Sequence, residues 1–494
     1  MNWLDKTIGW ISPQLGYERM KWRNALSAYD AGNGRRISQN WNPINGKAEQ
    51  LNQGSRDVIR AKARDLERNS DIAEAIINNF ERNVIGTGIQ LQSKITDSKG
   101  NDLLELNEKI EKQWKKWCKK QYCDISGRQS FSQMQKMAIR RLIVDGGILF
   151  VKIYTKDGFK LQAREVDDID TSLINYSVKS GQNRIINGVE IDEYNKIVAF
   201  WLKTTTPDGL LMTEPQRIDA SRIIYLAEIT RPSQIREMSK LAMSGNRIKD
   251  INEFLEASSV KERILACLSV FIMKNTPAMV SRNSKIDAES GYNDIAIAPG
   301  MVNKLEPGDD VKILNPSGQS SNAKEHVCIN QRVSGASHGL SYEASSRDMS
   351  QVNYSSARQG LLEDRKTYQA WHNLLIDDFL DEVYSEWLYY AYISGQIPEL
   401  KNFEKNKDQY LQHEWITPGW SWIDPLKEVN ANKLALETGQ TTLSDICNSS
   451  GKDWKDVLRQ ISKEQQFAKE LGLTISSNTD NTALISILGS ENNA

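Results

Sequence analysis

A chain of 494 residues is long for one hydrophobic core and predicts two to four sub-domains. Hydrophobic residues at 39% and charged residues at 26% give a soluble, polar-leaning profile, and the lack of any run of 18 apolar residues argues against a membrane span. Lys plus Arg number 63 against 64 Asp plus Glu, and this net charge of −1 speaks against a protein that grips duplex DNA through many phosphate contacts.

The opening MNWLDKTIGWISPQ has neither the basic flank nor the small-residue cleavage site of a signal peptide. Its Trp3, Leu4, Ile8, Trp10 and Ile11 suit packing on a neighbouring subunit, with an interfacial anchor as the alternative. Residues 1–54, rich in Gly, Asn and Gln from 33 onward, read either as an extended arm that orders against another surface or as a disordered tail. Cys118, Cys123, Cys267, Cys328 and Cys447 are scattered, lack zinc-pair spacing, and read as reduced thiols.

Order is expected from Ser55. Val58, Ile59, Ala63 and Leu66 mark one helix, and Ile72, Ile76, Ile77, Phe80 and Val84 a second that ends at Gly86 or Gly88 before a strand. Leu103, Leu106, Ile110, Trp114 and Trp117 line a third helix, whose Lys112, Lys115, Lys116, Lys119 and Lys120 read as a solvated face or a contact for an acidic partner. A helix over 131–144 then leads into short strands at ILFVKIYT, FKLQAREV, GVEID, KIVAFWLK and RIIYL, an α+β body built on hairpins. Asp167, Asp168 and Asp170 sit at a strand end and read as a turn, not as a metal site.

Leu241, Ile248, Ile251, Leu255, Leu265, Leu268 and Ile272 predict a helix of about 30 residues, roughly 45 Å, ending at Pro277. Between 277 and 320, the pieces DIAIA, VNKLE and DVKIL alternate with Pro-Gly turns, a small β-rich module with more acid than base. Residues 321–343 return as helix and deliver a polar loop, ASSRDMSQV, at 344–352. From Tyr354 to Ser394 no proline occurs and Gly360 is the only glycine, so about 40 residues can run as one helix of roughly 60 Å. Leu361, Tyr368, Trp371, Leu375, Phe379, Val383, Trp387 and Tyr390 line one face of it, with a bend or close approach expected at Gly360. Helices follow at 429–438 and 454–471, with Ser444 or Asp453 as caps, and a thin tail follows from 474.

No G-x-x-x-x-G-K-[ST] phosphate loop, G-x-S-x-G elbow or H-E-x-x-H pair occurs, so neither a motor ATPase nor a hydrolase is expected, and no catalytic residue, metal or cofactor.

Three words carry a resemblance. RDLERNSDIAEAIINNFERNVIGTGIQLQ (64–92), DMSQVNYSSARQGLLEDRKTYQ (348–369) and WSWIDPLKE (420–428) resemble the lambda-type portal, or head–tail connector, proteins of tailed bacteriophages. TRPSQIREMS (230–239) departs from that pattern by placing Ser233 and Glu237 where the family tends to have glycine. The family motif residues are Asn353, Tyr354, Ser355, Ser356, Arg358, Trp420, Trp422, Asp424 and Pro425; the tryptophans read as wall packing, with a ligand-stacking cage as the alternative.

The resemblance implies a helix-rich α+β portal-type protomer. Its parts are an arm (1–54), an α/β wing (55–237), a first stem helix (238–276), a clip (277–320), a second stem helix (321–343) and a channel loop (344–352). A long helix with the wing return (353–425), a helical crown (426–473) and a flexible tail (474–494) complete it. It also implies a dodecameric ring at one capsid vertex, in the virion and, during assembly, in the host cytoplasm. Double-stranded DNA would pass Ser345, Ser346, Arg347, Asp348, Met349, Ser350 and Gln351, and Glu306, Asp309 and Asp310 would face a partner from the clip. The implied partners are other copies of the chain, a terminase packaging motor, a major capsid or scaffold protein, and a head-completion or tail adaptor, with no membrane. A terminase enzyme and a smaller adaptor ring are the rival readings.

Overall fold

The computed structural model describes residue 10 and residues 45–97, 99–156, 158–175, 183–203, 214–266, 270–274, 309–313, 323–350, 353–420 and 425–470. The chain divides into two units after Leu51, and of the first only residues 10 and 45–51 are described. The second is a helix-rich α+β assembly.

Helix α1 (Arg56–Asn69) and α2 (Asp71–Phe80) meet at Ser70, whose hydroxyl accepts the Ala73 N–H and caps α2. The 72/76/77/80 spacing puts four apolar side chains on one face, and all four are buried. α2 runs on through a wider turn, Glu81–Ile85, and stops at Gly86 with φ 52°. Val58, expected on the buried stripe of α1, is exposed; the buried face there is Arg56, Arg60, Ala63 and Leu66.

Strand β1 (Gln90–Ser93) and helix α3 (Leu104–Trp117) follow. Leu103 lies just outside α3 and is exposed, while Leu106, Ile110, Trp114 and Trp117 are buried. Helix α4 (Phe131–Val144) begins at Ser130, which exchanges hydrogen bonds with Gln133 in a capping box. Gly146, with φ 90°, turns the chain into strand β2 (Gly147–Thr155); a Cβ there would lie 2.4 Å from the Met238 backbone.

β2 pairs with β3 (Gly158–Arg164) and β8 (Ile223–Ala227) in the order β3-β2-β8. Strands β4 (Arg184–Ile186), β5 (Val189–Ile191), β6 (Ile197–Leu202) and β7 (Gln216–Asp219) form a second antiparallel sheet. Successive side chains of β2 point opposite ways. Ile148 and Phe150 enter a large helical core, and Leu149 and Val151 enter a smaller core against the second sheet.

Helix α5 (Gly245–Ala266) corrects the expected first stem helix at its far end. Val270–Lys274 is strand β9, antiparallel to β10 (Asp309–Ile313), so Ile272 is not helical. A run of Val, Phe, Ile and Met fits a strand as well as a helix, and a partner 39 positions on decides it. Leu255 is exposed, while 275–308 and 314–322, with most of the expected clip, lie outside the described residues.

Helix α6 (Ala323–Ala336) and a one-turn helix α7 (Tyr342–Ser346) replace the single expected helix of 321–343. They are separated by a turn at Gly339 with φ 71°. Helix α8 (Tyr354–Leu375) runs through a wider turn, Ile376–Leu380, into α9 (Asp381–Ile393). The irregularity is therefore at 376–380 and not at Gly360. A Cβ on Gly360 would meet Ser341 at 3.4 Å, an ordinary contact, so nothing there demands glycine. Leu361, expected on the apolar stripe, is exposed, whereas Tyr368, Leu375, Phe379, Val383 and Trp387 are buried.

Strand β11 (His413–Ile416) returns to pair with β1, Ser93 opposite His413. The 398–412 stretch buries Leu400, Phe403 and Tyr410. Helices α10 (Pro425–Glu437), α11 (Leu443–Ser449) and α12 (Trp454–Glu470) complete the described chain. Thr442, not Ser444, caps α11, and Asp453 Oδ1 accepts the Lys455 N–H at the start of α12.

Candidate nucleic-acid interface

The polar segment near 344–350 is built from its flanks inward. The Ser341 hydroxyl accepts the Ala344 N–H and so starts α7. Ser341 in turn donates its own N–H and hydroxyl to Asp364 on α8, both at 2.7 Å. Asp364 is almost fully buried, and that burial pushes its carboxyl above the usual value. From the other side, Asn79 on α2 donates to the Ala344 carbonyl at 2.7 Å and accepts the Tyr368 hydroxyl. Thr367 donates to the Gly339 carbonyl at 2.8 Å. The base of the segment is thus tied to α2 and α8 by side chains from both.

Ser345 corrects the expected channel loop. It lies within α7, is buried, donates to the Tyr342 carbonyl, and packs on Gly335, where a Cβ would come within 2.6 Å of its hydroxyl. Ser346 is half-buried and donates to the same carbonyl at 2.7 Å. The exposed part begins at Arg347, which adopts left-handed φ 58° and ends α7. Arg347, Met349 and Ser350 are exposed, with Met349 at 62%.

The Arg347 guanidinium has no hydrogen-bond partner among the described residues. Asp348 accepts the Ser350 N–H at 2.9 Å and the Tyr342 hydroxyl at 3.3 Å, and the bonds from Ser350 hold its carboxyl below the ordinary value. Among the described residues the tip therefore carries one cation without a partner beside one engaged anion. Gln351 lies outside the described residues.

Of the motif residues, Asn353 caps α8 by accepting the Ser356 N–H at 2.9 Å, and Ser355, Ser356 and Arg358 are exposed on its first turns. Tyr354 opens that helix. Trp420 is half-buried against the large core, stacked 6.1 Å from His372 with the Arg365 guanidinium 5.3 Å over its ring, which is wall packing. Pro425 starts α10, a position that tolerates its missing N–H. Trp422, Asp424 and Glu306 lie outside the described residues, while Asp309 and Asp310 open β10.

The acidic turn is engaged throughout: Asp167 pairs with Arg60 and Arg64, Asp168 with Arg164, and Asp170 with Lys203. Among the described residues no group of three His, Cys, Asp or Glu is placed to hold a metal. The anchors Asn79, Ser341 and Asp364 escaped the sequence reading. Gly339 followed by Ser341 was a readable stop-and-start signal for α7, whereas Asn79 and Asp364 carried none.

Residues 34–372 match the family described as phage portal protein, lambda family. The probable portal protein of Halomonas phage phiHAP-1 is 30% identical over 452 residues, covering 89% of this chain and 86% of that one. Portal protein B of Escherichia phage lambda is 19% identical and covers 88% of each. Among solved structures, the neck of a native GTA particle with C12 symmetry aligns at a TM-score of 0.42 and 13% identity, over 79% of this chain and 96% of that one. No described helix is long and apolar enough to cross a membrane. Since the family match covers well over half of the sequence and includes both the 64–92 and the 348–369 words, this chain belongs to the lambda family of phage portal proteins.

Proposed function

We propose that copies of this chain stand side by side as a dodecameric ring at the portal vertex of a capsid, with double-stranded DNA moving through the shared opening during packaging and ejection. Family membership makes the protein a structural component of the portal vertex and not an enzyme. In this reading α5 and α6 are the stem pair, β9 and β10 open the clip, and α10 to α12 form the crown. A terminase motor and a head-completion adaptor dock on the ring, and a capsid or scaffold protein surrounds it while it assembles in the host cytoplasm.

The observation that carries the channel reading is the tip at 347–350, exposed on a base held by Asp364 and Asn79. A conduit needs contact without grip. Many phosphate contacts give steep, salt-dependent affinity, whereas Arg347 is a single cation without a partner among the described residues, with Asp348 beside it. We assign Arg347 the phosphate contact.

Electron microscopy of the purified protein tests assembly: a large ring with a central hole is expected, and a lone compact monomer under assembly conditions would overturn the reading. For the tip, Arg347→Ala is expected to slow packaging and reduce DNA retention, and to lower the salt slope of DNA binding by about one per contact removed. Packaging and retention identical to the parent would remove any role for that contact.

A further inference from the structure

Away from the 347–350 tip, the α3 face carries a feature the channel reading leaves unused. A cavity of about 310 Å³ opens between α3, the β2–β3 hairpin and the end of α9. Its walls include Trp117, Tyr122, Phe159, Trp387 and Tyr390, with Lys116 and Gln113 also lining it. Trp117, Phe159 and Trp387 are buried, so these walls are fixed by the core. Two of their polar edges are engaged elsewhere. The Trp117 indole N–H donates to the Phe159 carbonyl at 2.7 Å, and the Tyr390 hydroxyl donates to the Thr155 carbonyl at 3.0 Å. The cavity face is shared between aromatic carbon and the polar side chains of Gln113, Lys116 and Gln396.

Lys116 lines the cavity and lies in a basic stretch of sequence. Lys112, Lys116, Lys119 and Lys120 are exposed and have no carboxylate partner among the described residues; Lys116 lies 5.6 Å over the Tyr122 ring. The acids packed nearby are engaged elsewhere. Glu386 takes Lys152 and Tyr154, Glu399 takes Lys109, and Asp124 accepts the Ser126, Arg128 and Gln129 N–H groups.

We infer that this cavity and its lysine rim dock an acidic segment of another polypeptide through one aromatic or branched aliphatic side chain. The volume suits a single anchor, near the lower bound of about 300 Å³ for ligand pockets. The rim lysines supply steering and orientation for carboxylates on either side of that anchor. Duplex DNA satisfies the lysines but not the cavity, because its bases are stacked inside the helix. The inference stands on this cavity alone and does not depend on the 347–350 tip.

The test uses the full chain and a fluorescein-labelled peptide with one Phe between runs of Asp and Glu, followed by anisotropy. The Phe peptide is expected to bind at least about tenfold tighter than its Phe-to-Gly counterpart. Lys116→Glu with Lys120→Glu is expected to weaken both peptides and flatten the salt dependence. Gln113→Trp, which fills the cavity from an accessible helix position, is expected to abolish the Phe preference, while Gln113→Ala keeps it and controls for folding. Equal binding of the two peptides, or an unchanged preference in Gln113→Trp, overturns the inference. So does full displacement of the Phe peptide by a 20-bp duplex with no Phe preference remaining, which would mark the face as a phosphate surface.

Discussion

The body around α2, α4 and α9 and the C-terminal helices α10 to α12 handle apolar residues in opposite ways. In the body, Trp114 alone stacks on Trp117 at 4.9 Å and meets Phe131, Tyr384, Trp387 and Trp415 edge-on. Aromatic pairs of this kind each add about 0.5–1.5 kcal/mol beyond area burial. In the C-terminal helices Leu426, Val429, Leu434, Leu458, Ile461 and Phe467 are exposed, Leu426 at 74% and Phe467 at 62%. α12 is held to α3 by charged pairs, Arg459 with Glu108 and Lys115 with Asp456, and buries only Ala468. The body is finished within one chain, whereas α12 is amphipathic with its apolar face left over and α10 exposes apolar side chains. A single protein that spends its side chains so differently is built for two environments: a self-sufficient interior and a surface that another molecule completes.

The sharpest way to separate the two regions is to damage the body where charge is deepest. Glu237 is fully buried and receives Arg60, Arg236 and the Tyr225 hydroxyl. Glu237→Ala removes the carboxylate that meets the fully buried Arg236 guanidinium and is expected to lower stability by roughly 3–5 kcal/mol. Denaturant unfolding at dilute, unassembled concentration reads it, and a loss under about 1 kcal/mol would show that the network is incidental.

Next in size is a proton. His338 is half-buried against Ser244, at 2.8 Å, and its desolvation with Lys240 nearby depresses its pKa to about 4. Its folded pKa lies below the unfolded value of about 6.5, so the unfolded chain takes up the proton first. Stability is full above pH 6.5 and declines as pH falls toward 4. His338→Gln is expected to remove up to about 3 kcal/mol of that acid sensitivity. Parallel pH–stability curves for the two proteins would refute it.

Asn353→Ala removes the cap of α8 and is expected to cost about 1 kcal/mol, read by the same unfolding assay. Smallest for the single chain is Phe467→Ser. It is expected to change protomer stability by less than about 0.5 kcal/mol yet to impair assembly seen by sedimentation. A core-sized loss in the monomer would collapse the distinction between the regions.

Where the physics is local, the sequence was readable. The Ile72, Ile76, Ile77 and Phe80 spacing marks α2, and the expected bounds of α4 match the structure, with the Ser130–Gln133 box explaining its start. Where the partner is remote, it was not. His413-Glu-Trp-Ile becomes strand only because β1 lies beside it, and β9 only because β10 does. β4 and β7, three and four residues long, are too short for a periodic signal.

Glu237 looked like a lost glycine. The meaning of its side chain lies in Arg60, 177 positions away, which donates to the carboxylate. The serine-rich run at 344–346 read as loop because serine is common in loops, but a cap at Ser341 and an anchor at Asp364 wind it into α7. The tip beyond it was legible as polar and nearly balanced in charge. The buried fate of Ser345 was not.

The pairing of β1 with β11 joins positions some 320 residues apart. On a ribosome, β1 emerges early and must wait with an open hydrogen-bonding edge until β11 is made. At about 5–20 residues per second that is a delay of roughly 15–60 seconds. An unpaired edge held that long invites pairing with the wrong strand, so nascent chains are most vulnerable before residue 416 appears, and truncations short of it leave the sheet open for good.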